Sequence, residues 1–63
     1  MYILKENLVI ENQTLFADEV GIASETLSRI LSKKQKCSKV IAYSIAKHYD
    51  KNKEIVDYFE RVD

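Results

Sequence analysis

Proline is absent from this 63-residue chain, and glycine occurs once, at Gly21. Few points therefore force the backbone to break. With 46% hydrophobic residues, the composition excludes a disordered tail and favours a compact helical domain. Cys37 is the single cysteine, so an internal disulfide is excluded and a reducing, cytoplasmic setting is expected. There is one histidine, His48, and the carboxylates are scattered, so neither a metal site nor a cofactor is expected. A phosphate-cradling glycine loop and paired catalytic carboxylates are missing as well, and so short a chain leaves no room for a buried cleft. An enzyme is the least expected class. The longest apolar run is four residues, Val40 to Tyr43, too short to span a membrane. The first residues carry no signal-peptide pattern, so no leader is expected. What remains is one small domain with a single core. Its stability should be limited to a few kcal/mol unless it oligomerises.

Net charge is also absent, which at first argues against a nucleic-acid partner. The distribution argues the other way. Residues 29 to 53 hold eight basic side chains against Asp50 alone, a net of +7. Residues 1 to 28 net −4, and residues 54 to 63 net −3. The basic block, from Arg29 to Lys53, is where a protein lying on a phosphate backbone would need its cations. A solvated lysine-rich surface loop would read the same way. Its place in the chain favours phosphate contact.

Two apolar-periodic segments flank Gly21. Phe16, Ala17 and Val20 share one helical face, and Leu27, Ile30 and Leu31 share another at i, i+3 and i+4. At Gly21 a chain leaving a helix needs the left-handed backbone that glycine adopts cheaply. Ile22 would pin the turn into the core. Ala17 is small enough to let the helices cross closely. Asn12 is a good N-cap for the first of the pair. Two helices joined by a tight glycine turn form a helix-turn-helix pattern over residues 13 to 32.

That stretch resembles the helix-turn-helix of phage-type repressors, the Cro or xenobiotic-response-element family. The residues carrying the likeness are Gln13, Ala17, Gly21, Ile22, Leu27 and Ile30, at the family's first, fifth, ninth, tenth, fifteenth and eighteenth positions. Ile45-Ala46-Lys47 matches a further family run. The resemblance covers roughly residues 3 to 60. It implies an all-α fold of five helices, with the motif formed by the second and third. It also implies that the third helix, about 24 to 31, enters the major groove.

Base contacts are then expected from Ser24, Glu25, Ser28 and Arg29. Arginine takes guanine O6 and N7 in a bidentate pair, and glutamate accepts from cytosine N4. Glu25 and Arg29 are also i and i+4, so a surface ion pair is the simpler alternative. Phosphate contacts are expected from Gln13, Thr26, Lys33, Lys34, Lys36 and Lys39. Family members commonly carry Asn-Gly-Lys and a proline after the third helix. This chain has Ser32-Lys33-Lys34 and, in the proline position, Cys37.

Around the motif, residues 2 to 10 read as a first helix with Leu4 and Leu8 inward. Leu15 and Phe16 are expected to fill the core, and Asp18 and Glu19 to face solvent. Cys37 reads as a small loop residue rather than a nucleophile. Ser38 should cap a fourth helix over 39 to 49, with Val40, Ile41, Ile45, Ala46 and Tyr49 apolar and Tyr43 covering the core. His48 suits that helix's C-terminus. Asp50 to Lys53 is a turn with Asn52 a candidate cap. Glu54 to Val62 reads as a fifth helix with Ile55, Tyr58, Phe59 and Val62 in one stripe. That stripe, with Val56 beside it, is the candidate surface for a second copy or a partner.

The expected function is sequence-specific DNA binding by a transcriptional regulator of phage or mobile-element type. Two copies would use half-sites about 34 Å apart. The alternative is a protein-binding module on the same fold, either an antirepressor that masks a repressor protein or an antitoxin. Acidic ends and a glutamate on the reading face favour that alternative.

Overall fold

Four helices and one two-stranded antiparallel sheet make up the computed structural model, which describes residues 1–62. Asp63, the last member of the acidic C-terminal block, lies outside the described residues. In chain order the elements are β1 (Tyr2–Leu4), α1 (Gln13–Val20), α2 (Ser24–Leu31), α3 (Lys39–Tyr49), α4 (Ile55–Tyr58) and β2 (Phe59–Arg61).

Of the three central helices, α1 and α3 begin at side-chain caps, whereas the N-cap of α2, Ala23, provides none. Asn12 accepts from the Leu15 N–H at 2.9 Å, and Ser38 accepts from the Ile41 N–H at 3.3 Å. Each satisfies a donor that the first helical turn leaves unpaired. The buried faces follow helical spacing: Phe16 and Ala17 on α1, Leu27 and Ile30 on α2, and Ala42, Ile45 and Ala46 on α3.

Both ends of the chain differ from the five-helix expectation. Residues 2 to 10 form no helix. Tyr2, Ile3 and Leu4 pair with Arg61, Glu60 and Phe59. Residues 5 to 12 then run to α1 without regular structure. Tyr2 also exchanges two 2.8 Å hydrogen bonds with the Cys37 backbone, so β1 is bonded along both edges. A helix would satisfy the same backbone internally, but it would leave Phe59 and Cys37 without these partners. Leu4, at the end of β1, is buried, while Val9 in the irregular segment is exposed.

At the other end α4 is a single turn. Its cap is Glu54 rather than Asn52, with the Glu54 N–H donating to Asp57 Oδ2 at 2.7 Å. Asn52 instead donates its N–H to Asp50 Oδ1 at 3.0 Å. The backbone straightens at Phe59, and the strand carries that ring into the core, where it is 2% exposed. The i, i+3, i+4 stripe seen in the sequence is thus split between a helix and a strand.

The core joins all of these pieces except α4: Leu4, Phe16, Ala17, Leu27, Ile30, Cys37, Ala42, Ile45 and Phe59, with Ile55 and Tyr58 of α4 packed against it. Tyr49 and Tyr58 meet edge to face with centroids 5.5 Å apart, and the Tyr49 hydroxyl accepts from the Val9 N–H at 3.3 Å. Cys37 lies in the loop between α2 and α3, with its side chain buried in this core. Burial pushes its thiol up to about 11. Leu15, Val40 and Tyr43, expected inside, are 53%, 72% and 52% exposed. Leu15 and Val40 lie outside the arcs of their helices that face the other elements. Among the described residues no helix is long and apolar enough to cross a membrane.

Candidate nucleic-acid interface

The geometry of α2 is set by the turns at its two ends, and both turns use the same hydrogen-bond scheme. After α1, the Ile22 N–H reaches back to the Ala17 carbonyl at 2.9 Å and the Gly21 N–H to Asp18 at 3.2 Å. After α2, the Lys34 N–H reaches the Arg29 carbonyl at 3.0 Å and the Lys33 N–H reaches Ile30 at 3.0 Å. These are paired six-to-one and five-to-two closures, in which the residue after the helix is left-handed. Gly21 takes φ +91° and Lys33 takes φ +66°. Glycine does this freely, whereas lysine carries a Cβ into a disfavoured region.

The first turn presents α2 with Leu27 and Ile30 buried, so the opposite side faces out. Ser24, Glu25, Ser28 and Arg29 are all exposed on that side. Arg29 Nη2 lies 4.0 Å from Glu25 Oε2, and both side chains are more than half exposed. At that distance in water the pair is loose, of the order of a few tenths of a kcal/mol. Both head groups stay available. Thr26 is half-buried.

Gln13, the first residue of α1, is exposed next to the Asn12 cap. An open groove of about 510 Å³ runs between the start of α1 and the start of α2. Asn12, Thr14, Leu15, Asp18, Ile22, Ala23 and Ser24 line it.

Beyond α2 the chain presents Lys33, Lys34, Lys36 and Lys39, all exposed and without an ion pair among the described residues. Lys33 has one neutral partner: its Nζ donates to Asn7 Oδ1 at 2.9 Å. The rest of the basic block is less open. Lys47 Nζ sits 2.7 Å from Glu54 Oε2 and 5.7 Å from the Tyr43 ring centroid. The hydrogen bond to Glu54 raises its pKa. His48 Nε2 lies 3.0 Å from Glu19 Oε2, with the imidazole edge-on to Phe16.

The candidate docking stripe does not form a continuous face. Phe59 is core, Ile55, Tyr58 and Val62 are half-buried, and only Val56 stands clear at 68% exposed. The exposed apolar pair of α3, Val40 and Tyr43, was not singled out by periodicity, because the whole Val40–Tyr43 run is apolar. Asn7 carried no signal in the sequence either, since its role depends on a contact 26 residues away.

No protein-family model, curated protein or solved structure matches this chain.

Proposed function

We propose that the chain is a sequence-specific DNA-binding transcriptional regulator of the phage or mobile-element kind, with α2 in the major groove. One observation supports the reading: the exposed polar face of α2 runs directly into four lysines that have no ion-pair partner among the described residues. Polar side chains on a presented helix are the means of reading base edges, and the adjoining cations supply phosphate affinity. Ser24, Glu25, Ser28 and Arg29 face the bases in this arrangement. Gln13, Thr26, Lys33, Lys34, Lys36 and Lys39 lie toward the backbone. Two copies would span half-sites about 34 Å apart.

The test is a titration against the DNA preceding its own gene and an unrelated duplex, at two salt concentrations. Arg29→Ala should narrow the gap between the two duplexes by about 1–3 kcal/mol. Lys34→Ala should weaken both alike and lower the salt slope by about one ion. Equal, salt-insensitive losses would reject these roles.

A second reading has its own observation. Val40 and Tyr43 leave an apolar patch on α3, which a DNA contact does not require. That patch supports a protein-binding module, an antirepressor or antitoxin, if no specific DNA complex forms.

A further inference from the structure

Lys33 is the one non-glycine residue with a positive φ among the described residues. Glycine would relieve that strain, yet a lysine stands there. A disfavoured conformation kept at a long, charged side chain points to a use for the side chain. That side chain makes one hydrogen bond among the described residues. Lys33 Nζ, just past the C-terminal end of α2, donates at 2.9 Å to Asn7 Oδ1 in the loop between β1 and α1.

An ammonium has three donors and no acceptor. Asn7 must therefore turn its oxygen to Lys33 and its NH₂ group away. The pair then has four free donors, two ammonium N–H groups and two amide N–H groups, against the one lone pair left on Asn7 Oδ1. Its formal charge is +1, and both residues are exposed. A phosphate oxygen is the acceptor such a pair fits, and Lys34 and Lys36 follow in the same loop.

We propose that Asn7 and Lys33 together form a phosphate clamp, in which Asn7 both orients the lysine and donates to the same DNA phosphate. This rests on the DNA-binding reading above and extends it to a segment outside the two-helix unit.

The experiment is a salt-dependent titration of the full chain and its variants on the two duplexes named above. Asn7→Ala should weaken binding to both about five-fold, the scale of one hydrogen bond to a phosphate together with a less well oriented lysine. Its salt slope should not change, because the lysine charge remains. Asn7→Asp should bind more weakly still and lose about one ion from the slope, because the new carboxylate neutralises Lys33. In a Lys33→Gly background, Asn7→Ala should cost clearly less than about five-fold, because the orienting role is gone and only Asn7's own donation to the phosphate remains to be lost. Asn7 is exposed, so the thermal midpoints should match, and a merely structural role would leave the slope of Asn7→Asp unchanged.

If the unaltered protein binds and both Asn7 variants match it in affinity and slope, the clamp is wrong and the DNA reading stands. A full Asn7→Ala loss in the Lys33→Gly background also overturns it. If the unaltered protein forms no complex, both readings fall.

Discussion

Replacing Lys33 by glycine should make the protein more stable, although the substitution removes a side chain and a hydrogen bond. Lys33 holds φ +66° because the closing bonds from Lys33 to Ile30 and from Lys34 to Arg29 require it. A left-handed conformation costs an L-residue about 1–2 kcal/mol. Glycine escapes that cost but loses about 0.5–1 kcal/mol more backbone entropy on folding. The Lys33–Asn7 hydrogen bond joins two exposed side chains that water would otherwise solvate, so its removal costs a few tenths of a kcal/mol. The net expectation is a gain of about 0.5 kcal/mol, equivalent to roughly 2–4 °C in a domain of this size. Urea denaturation followed by far-UV circular dichroism would measure it. The midpoint should rise with an unchanged slope, because the surface exposed on unfolding is the same. Repeating it at high salt separates this gain from relief of repulsion with Lys34. A lowered midpoint under both conditions would refute the reasoning, since it would mean that the lysine stabilises the turn more than its backbone strains it.

Gly21→Ala is the counterpart at the other end of α2. A Cβ there meets nothing within 4 Å, so only the φ of +91° opposes it, and thermal melting should register a loss of about 1 kcal/mol. Phe59→Ala removes a ring that is 2% exposed and should cost about 3–5 kcal/mol, enough to unfold so small a domain. Val56→Ala, three residues earlier, should leave the melting curve within about 0.5 kcal/mol of its starting position. Cys37 has a folded pKa near 11 against 9.0 for the free side chain. The unfolded chain therefore releases its proton first, and stability should fall as pH rises from about 9 to 11. Cys37→Ala should flatten that decline. Thiol alkylation at pH 8 should be slow in the folded protein and fast in denaturant, and equal rates would contradict the burial.

The middle of the chain was legible because its determinants are local. Asn12, Gly21 and Ser38 each mark an end through their own hydrogen bonding or backbone freedom. The spacing of Leu27 and Ile30 names the inner face of α2, and so the outer one. The two ends were not legible. Tyr2-Ile3-Leu4 and Phe59-Glu60-Arg61 are strands because they find each other, and nothing within either triplet states that pairing. Helical spacing over Ile55, Tyr58, Phe59 and Val62 suggested a longer helix, but the chain uses Phe59 through an extended backbone instead. Leu15 and Val40 were assigned inward on hydrophobicity alone, although α1 and α3 have enough other apolar residues to fill their inner faces. The lysine loop was legible as charge. Its shape, with a left-handed Lys33 held by Asn7, was not.

The pairing of β1 with β2 also orders events during synthesis. Leu4 is made well before its strand partner Phe59, with α1, α2 and α3 between them. The Val62 N–H bonds the Met1 carbonyl at 2.9 Å, bringing the two extremes of the described chain side by side. The helices have local contacts and are free to form as they emerge from the ribosome. The sheet and the core beneath it must wait until residues 59 to 61 are clear of the exit tunnel. Until then β1 waits with Tyr2 and Leu4 uncovered, open to chaperones or to pairing with another nascent copy. In a circular permutant that joins the two ends and opens the lysine loop, the strands would be made consecutively. That waiting period would disappear while every contact of the folded state outside the opened loop was kept.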